Sequence, residues 1–235
     1  MFMSTKEQGY SRLYQRALPD ERFCLMCLKD LADEKDLYSL LIEEDLVCSS
    51  CRSIFKEHKK IYSMDGIDVH VLYEYTEELE NIFFQYKEQR DIVLAPVFLY
   101  PYRQRLRRVL RRYVVCGMCS SDEKYMERIF VPLEEIFRTI GVDLYFPLYK
   151  TKNIKQSAQD KMRRKQIRKY VSMKTCYPLK EGKICLVDDV CTTGASLQAG
   201  IDLLKPDVVF LLSAHPLWIE ANKQYEQVEK NGLFW

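Results

Sequence analysis

The stretch ICLVDDVCTTGASL, from Ile184 to Leu197, combines residue types that could hold a phosphorylated ligand. Four apolar residues run into the adjacent carboxylates Asp188 and Asp189, and the chain then turns small, polar and helix-prone. A turn made of Thr192, Thr193, Gly194, Ala195 and Ser196 at the start of a helix offers unpaired backbone N–H groups, hydroxyls and the positive end of a helix dipole. Gly194 lets the backbone approach a ligand closely. The nucleoside-triphosphate version of such a loop is excluded, because no G-x-x-x-x-G-K-[ST] motif is present. Carboxylates repel phosphate, so the acid pair should hold hydroxyls, a metal ion, or both. A ribose carrying a 5-phosphate satisfies all of this, with phosphate in the turn, hydroxyls on acids exposed at a strand end, and Mg²⁺ nearby. Helix capping alone would explain the turn but not the doubled acid.

A second set of residues points to metal. Cys24 and Cys27 form one C-x-x-C pair, Cys48 and Cys51 another, with twenty residues between them. Two such knuckles complete a tetrahedral four-thiolate shell, the pattern of a closed structural zinc site. The intervening residues are charged and poor in large apolar side chains, so the module depends on metal for stability. His58 reads as a surface histidine. Cys116 and Cys119 have no partner pair at ribbon spacing and read as a strand end and its turn; Cys176, Cys185 and Cys191 read as small apolar fillers.

These residues need elements to position them. Leu79, Ile82, Phe83 and Tyr86 fall on one helical face. Leu106, Val109, Leu110 and Tyr113 repeat that spacing, and the six arginines from Arg103 to Arg112 read as its solvated side. Strands are predicted at Tyr113–Val115, Val142–Phe146, Ile184–Val187 and Asp207–Leu212, and helices at Glu123–Ile140, adjusting at Pro132, and Ala195–Leu204. Apolar strands alternating with helices predict an α/β fold with a parallel sheet flanked by helices, in which ligands sit at the carboxyl ends of the strands. The expected organisation is a zinc-binding module over residues 1–60 and an α/β domain over 61–235.

Between Lys152 and Lys169 the chain carries eight basic residues and one acid. Such a segment suits either closure over a phosphorylated sugar or a grip on a polynucleotide backbone through Arg163, Arg164, Lys165, Arg168 and Lys169. The net charge of +2 is neutral on nucleic acid. No apolar run is long enough to span a bilayer and no secretory leader is apparent, so no membrane insertion and a cytoplasmic location are expected.

The run ICLVDDVCTTGAS resembles the phosphoribosyl pyrophosphate signature of type I phosphoribosyltransferases. With the N-terminal cysteines, the YEY before a helix, the FFQYKEQRD stretch and the basic segment, the chain resembles the ComF family over most of its length. The resemblance implies a phosphoribosyltransferase-like fold, phosphoribosyl pyrophosphate or a related sugar phosphate bound with Mg²⁺, and a role in uptake of single-stranded DNA during natural transformation. It also raises two other functions: an active transferase joining a base to phosphoribosyl pyrophosphate, and docking of a competence helicase or recombination-loading protein by the zinc module. The chain departs from the family's Glu-Arg-Gly-Phe-Asn run, keeping Glu127, Arg128 and Phe130 but placing Ile129 and Val131 at the glycine and asparagine positions. Apolar residues there should weaken a transferase more than a phosphoribosyl-binding scaffold.

Overall fold

The computed structural model describes residues 23–31, 46–119, 126–150, 171–174, 181–228 and 232–235. It divides after Ser53 into two compact units. In the first, the described structure is the two cysteine turns and a single helical turn, α1 (Ser49–Arg52).

The second unit is built on a five-stranded sheet. β1 (Glu57–Met64) and β2 (Ile67–Glu74) form an antiparallel hairpin, and β3 (Val114–Gly117), β6 (Ile184–Cys191) and β7 (Val208–Ala214) join them in the order β1-β2-β7-β6-β3. The β2–β7, β7–β6 and β6–β3 pairings are all parallel. β4 (Leu148–Lys150) and β5 (Val171–Met173) make a separate antiparallel pair. Every residue of β7 is buried, as its central place requires. Val209 and Leu211 join a core with Leu197, Ile201 and Leu204 of helix α5 (Ala195–Leu204), whereas Phe210 points the other way, towards Phe137 and Phe234. The strand's two-residue period thus supplies both faces of the sheet.

Helix α2 (Glu77–Lys87) starts where Thr76 Oγ1 accepts the Leu79 amide, carries Glu77, Glu78 and Glu80 in its first turn, and ends on Lys87. That charge order matches the helix dipole. Leu79, Phe83 and Tyr86 are buried as the spacing predicts, with Ile82 half-buried. Helix α3 (Arg103–Leu110) likewise buries Leu106, Val109 and Leu110, and Arg105, Arg107 and Arg108 are exposed.

Two predicted elements differ. Val142–Phe146 is not a strand: the Val142 amide caps the preceding helix end at Phe137 O, and among the described residues only Tyr145 forms a bridge, to Cys116 of β3. Pro147, without an N–H, stops any extension. The predicted Glu123–Ile140 helix is broken within its described part. Ile129 takes φ +69°, Val131 is extended, and α4 (Pro132–Arg138) begins afresh with proline in its first turn.

Candidate functional site

The four N-terminal cysteines come together as the spacing requires, with their sulfurs all within 4.8 Å of one another. Cys27 Sγ and Cys48 Sγ are 3.6 Å apart, close to the edge of about 3.8 Å expected for a tetrahedron of Zn–S bonds. The first knuckle is closed by the Leu28 amide on Cys24 O, with Leu28 in a left-handed conformation, and the second by the Arg52 amide on Cys48 O. Burial works against ionisation of Cys24, but the amides of Cys48, Cys27 and Met26 outweigh it and bring the thiol down to about 7. Burial and the neighbouring thiols push Cys51 up. Four thiolates therefore need a cation to coexist, and the donor set is compatible with a structural metal ion. His58 is neither a ligand nor a surface residue. It lies half-buried in β1, bonded through Nε2 to Tyr62 Oη at 2.6 Å.

The stretch from Ile184 to Leu197 folds as strand, turn and helix. β6 runs on to Cys191, so Asp188 and Asp189 lie within the strand and are half-buried, rather than exposed at its end as expected from sequence. β3 pairs with β6 only as far as Val187, and it is β7 that extends the strand, with Asp188 lying opposite Leu211 and Cys191 opposite Ala214. Thr192 and Thr193 are exposed, and Gly194, Ala195 and Ser196 are half-buried at the start of α5. Gly194 has φ +74°, and no side chain among the described residues caps the helix. A Cβ on Gly194 would lie 2.6 Å from Trp218 Nε1, so this position is closed to larger residues twice over.

The two acids differ sharply. Burial, reinforced by the charge of Asp189, pushes Asp188 up to about 7, against the opposing pull of Lys150 and Lys87. Burial also disfavours ionised Asp189, but the Lys87 ammonium outweighs it and holds that carboxyl below its ordinary range. Lys87 Nζ stands 2.7 Å from Asp189 Oδ2, with the two side chains 13% and 20% exposed. The ammonium also lies 4.5 Å from the centre of the Phe83 ring, one helical turn back. Ser213 Oγ donates to Asp189 O, tying the acid's backbone to β7.

Arg128, buried, adds positive charge near Asp189 and pairs through Nη2 with Glu88 Oε1 at 2.5 Å. Among the described residues its Nε has no hydrogen-bond partner. Ile129, 77% exposed, occupies the left-handed region that favours glycine. The backbone thus takes the shape that the family pattern writes with glycine, while this chain fills it with a β-branched residue.

Sequence alone did not assign Lys87, Lys150 or Trp218 to the site. Lys87 stands in the FFQYKEQRD stretch, where its place four residues after Phe83 and at a helix end was the available signal. Cys185 and Cys191 are buried fillers, and Cys116 and Cys119 are buried at the end of β3 and just beyond it, as expected. Arg163, Arg164, Lys165, Arg168 and Lys169, with Cys176, lie outside the described residues.

No family model matches the chain. It is similar to "Competence protein ComFC" of Streptococcus pneumoniae, with 22% identity over 206 residues that span 77% of this chain and 93% of that protein. This match agrees with the resemblance to the ComF family seen in the sequence. Among the described residues no helix is long and apolar enough to cross a membrane.

Proposed function

We propose that the protein is a cytoplasmic competence factor that binds a phosphoribosyl group on a phosphoribosyltransferase-like domain and assists the uptake of single-stranded DNA in natural transformation. The observation that carries the reading is the half-buried Asp188–Asp189 pair followed, after Val190 and Cys191, by the Thr192–Ser196 turn, where no side chain among the described residues caps the helix. The turn seats the 5-phosphate and the acids accept the ribose hydroxyls. With phosphoribosyl pyrophosphate, Mg²⁺ accompanies the diphosphate. Zinc on Cys24, Cys27, Cys48 and Cys51 holds the N-terminal module, which docks a helicase or recombination-loading partner. The basic segment Lys152–Lys169 grips the DNA backbone through Arg163, Arg164, Lys165, Arg168 and Lys169. Binding without base transfer is favoured by Ile129, whose apolar side chain stands at the family's glycine position beside Arg128.

Calorimetric titration with phosphoribosyl pyrophosphate and Mg²⁺, and separately with labelled single-stranded DNA, tests this reading. The parent should bind both. Replacing Asp188 and Asp189 together with Ala should abolish sugar-phosphate binding. Replacing Arg163, Arg164 and Lys165 with Ala should weaken DNA binding and flatten its salt dependence, the log–log slope falling by about 0.7 for each phosphate no longer neutralised. Unchanged affinities in both variants would refute the assignment.

A further inference from the structure

The acid pair already has a cation. Lys87 is the last residue of α2, far before β6 in the sequence, yet its ammonium lies 2.7 Å from Asp189 Oδ2 and is mostly shielded from water. It is restrained from three sides: by the carboxylate, by the Phe83 ring at 4.5 Å, and by the negative end of its own helix. Lys150, at the end of β4, acts on Asp188 from elsewhere. Asp189 thus has an ammonium partner before any ligand arrives, and the positive charges of Lys150 and Lys87 also act on Asp188.

A divalent cation would find this arrangement unfavourable. Mg²⁺ takes a near-octahedral set of oxygens and gives up its waters reluctantly. To coordinate Asp189 it would have to displace a buried ammonium, leaving that charge without its partner, or sit against it. An ammonium carries three N–H donors, and Asp189 uses one. The others suit the hydroxyls of a sugar.

We propose that Lys87 is the resident counterion of the acid pair, closing Asp189 to divalent metal and allowing the site to take a phosphorylated ribose without a protein-bound cation. The inference rests on the phosphoribosyl reading and deepens it. Mg²⁺ that accompanies a diphosphate stays on the ligand and needs no carboxylate from the protein.

The test uses the full chain and ribose 5-phosphate, which lacks a diphosphate to carry metal. Divalent-free buffer is prepared by resin treatment and not with a soluble chelator, which would strip the cysteine site. The parent should bind ribose 5-phosphate with an affinity that changes by less than about twofold when MgCl₂ is added. Lys87→Met should bind at least about tenfold more weakly without divalent ion and recover on adding Mg²⁺, and Lys87→Arg should keep the parent's indifference to metal. Electron paramagnetic resonance with Mn²⁺ gives an independent readout: Lys87→Met should gain a bound Mn²⁺ that the parent lacks, and Asp189→Asn on that background should remove it. A parent whose binding requires Mg²⁺, or which itself binds Mn²⁺ through Asp189, overturns the proposal. If ribose 5-phosphate binds under neither condition, the phosphoribosyl reading fails. The Mn²⁺ comparison then decides the counterion assignment alone, upholding it only if the new site forms on loss of Lys87. Should Lys87→Met not fold, the parent's response to Mg²⁺ and Mn²⁺ decides it.

Discussion

Ile129→Gly should stabilise the protein. Ile129 has φ +69°, in a region where a side chain crowds the following carbonyl, and β-branching adds to the crowding. The conformation costs an L-residue about 1–2 kcal/mol, which glycine avoids. Against this, glycine loses more freedom on folding, a cost of about 0.4–1 kcal/mol. Little apolar burial is forfeited, because the side chain is 77% exposed. The net expectation is a gain of about 0.5–1 kcal/mol, or about 1–4 °C in Tm for a chain of this size. Urea unfolding followed by tryptophan fluorescence should show a raised midpoint at constant slope. Ile129→Ala, which keeps a Cβ but loses the branch, should recover only part of the gain. A glycine variant no more stable than the alanine variant would refute the strain, and with it the view that this turn retains a glycine-shaped backbone.

The cysteine site predicts about one zinc per chain in protein purified without chelator, and Cys48→Ser should lower metal content and destabilise the N-terminal unit while leaving ribose 5-phosphate binding unchanged; metal-free parent protein would dismiss the site. The raised Asp188 carboxyl predicts a pH effect of definite sign. The folded state holds a proton that the unfolded state releases, so this group's contribution favours folding at acid pH and is lost as pH rises from about 4 to about 7. Asp188→Asn removes that contribution, so the stability of the parent minus that of the variant should fall across the window, as measured by urea melts at successive pH values. A difference that rises with pH would mean that Lys150 and Lys87 outweigh burial.

How much could be read from sequence depended on whether neighbours in the chain do the work. The β6 strand, the Gly194 turn and α5 are consecutive, and the strand's apolar run with the helix-start signal fixes their order. The cysteine pairs are equally local, each knuckle closing over four residues. β1 is not legible in the sequence because it is an edge strand, where Glu57, Lys59 and Lys60 are tolerated and disguise the alternation. Val142–Phe146 misled for the opposite reason. Its composition suits a strand, but its first amide is used by the preceding helix and Pro147 ends it. The character of the acids was hidden because burial and Lys87 reach Asp189 from distant elements, and no spacing rule connects positions 87 and 189.

The order of strands in the sheet also bears on how the chain is made. β7, between β2 and β6, is the last of the sheet's strands to be synthesised, and it pairs Asp68 with Val208 on one side and Cys185 with Val208 on the other. Until it arrives, the β1–β2 hairpin and the β3–β6 pair have no strand joining them, and each presents an open, apolar edge to other nascent chains. Parallel pairings across so many residues form slowly. During translation the acid pair therefore lacks the strand that buries and anchors it. The protein should depend on chaperones or low synthesis rates until residue 214 has left the ribosome.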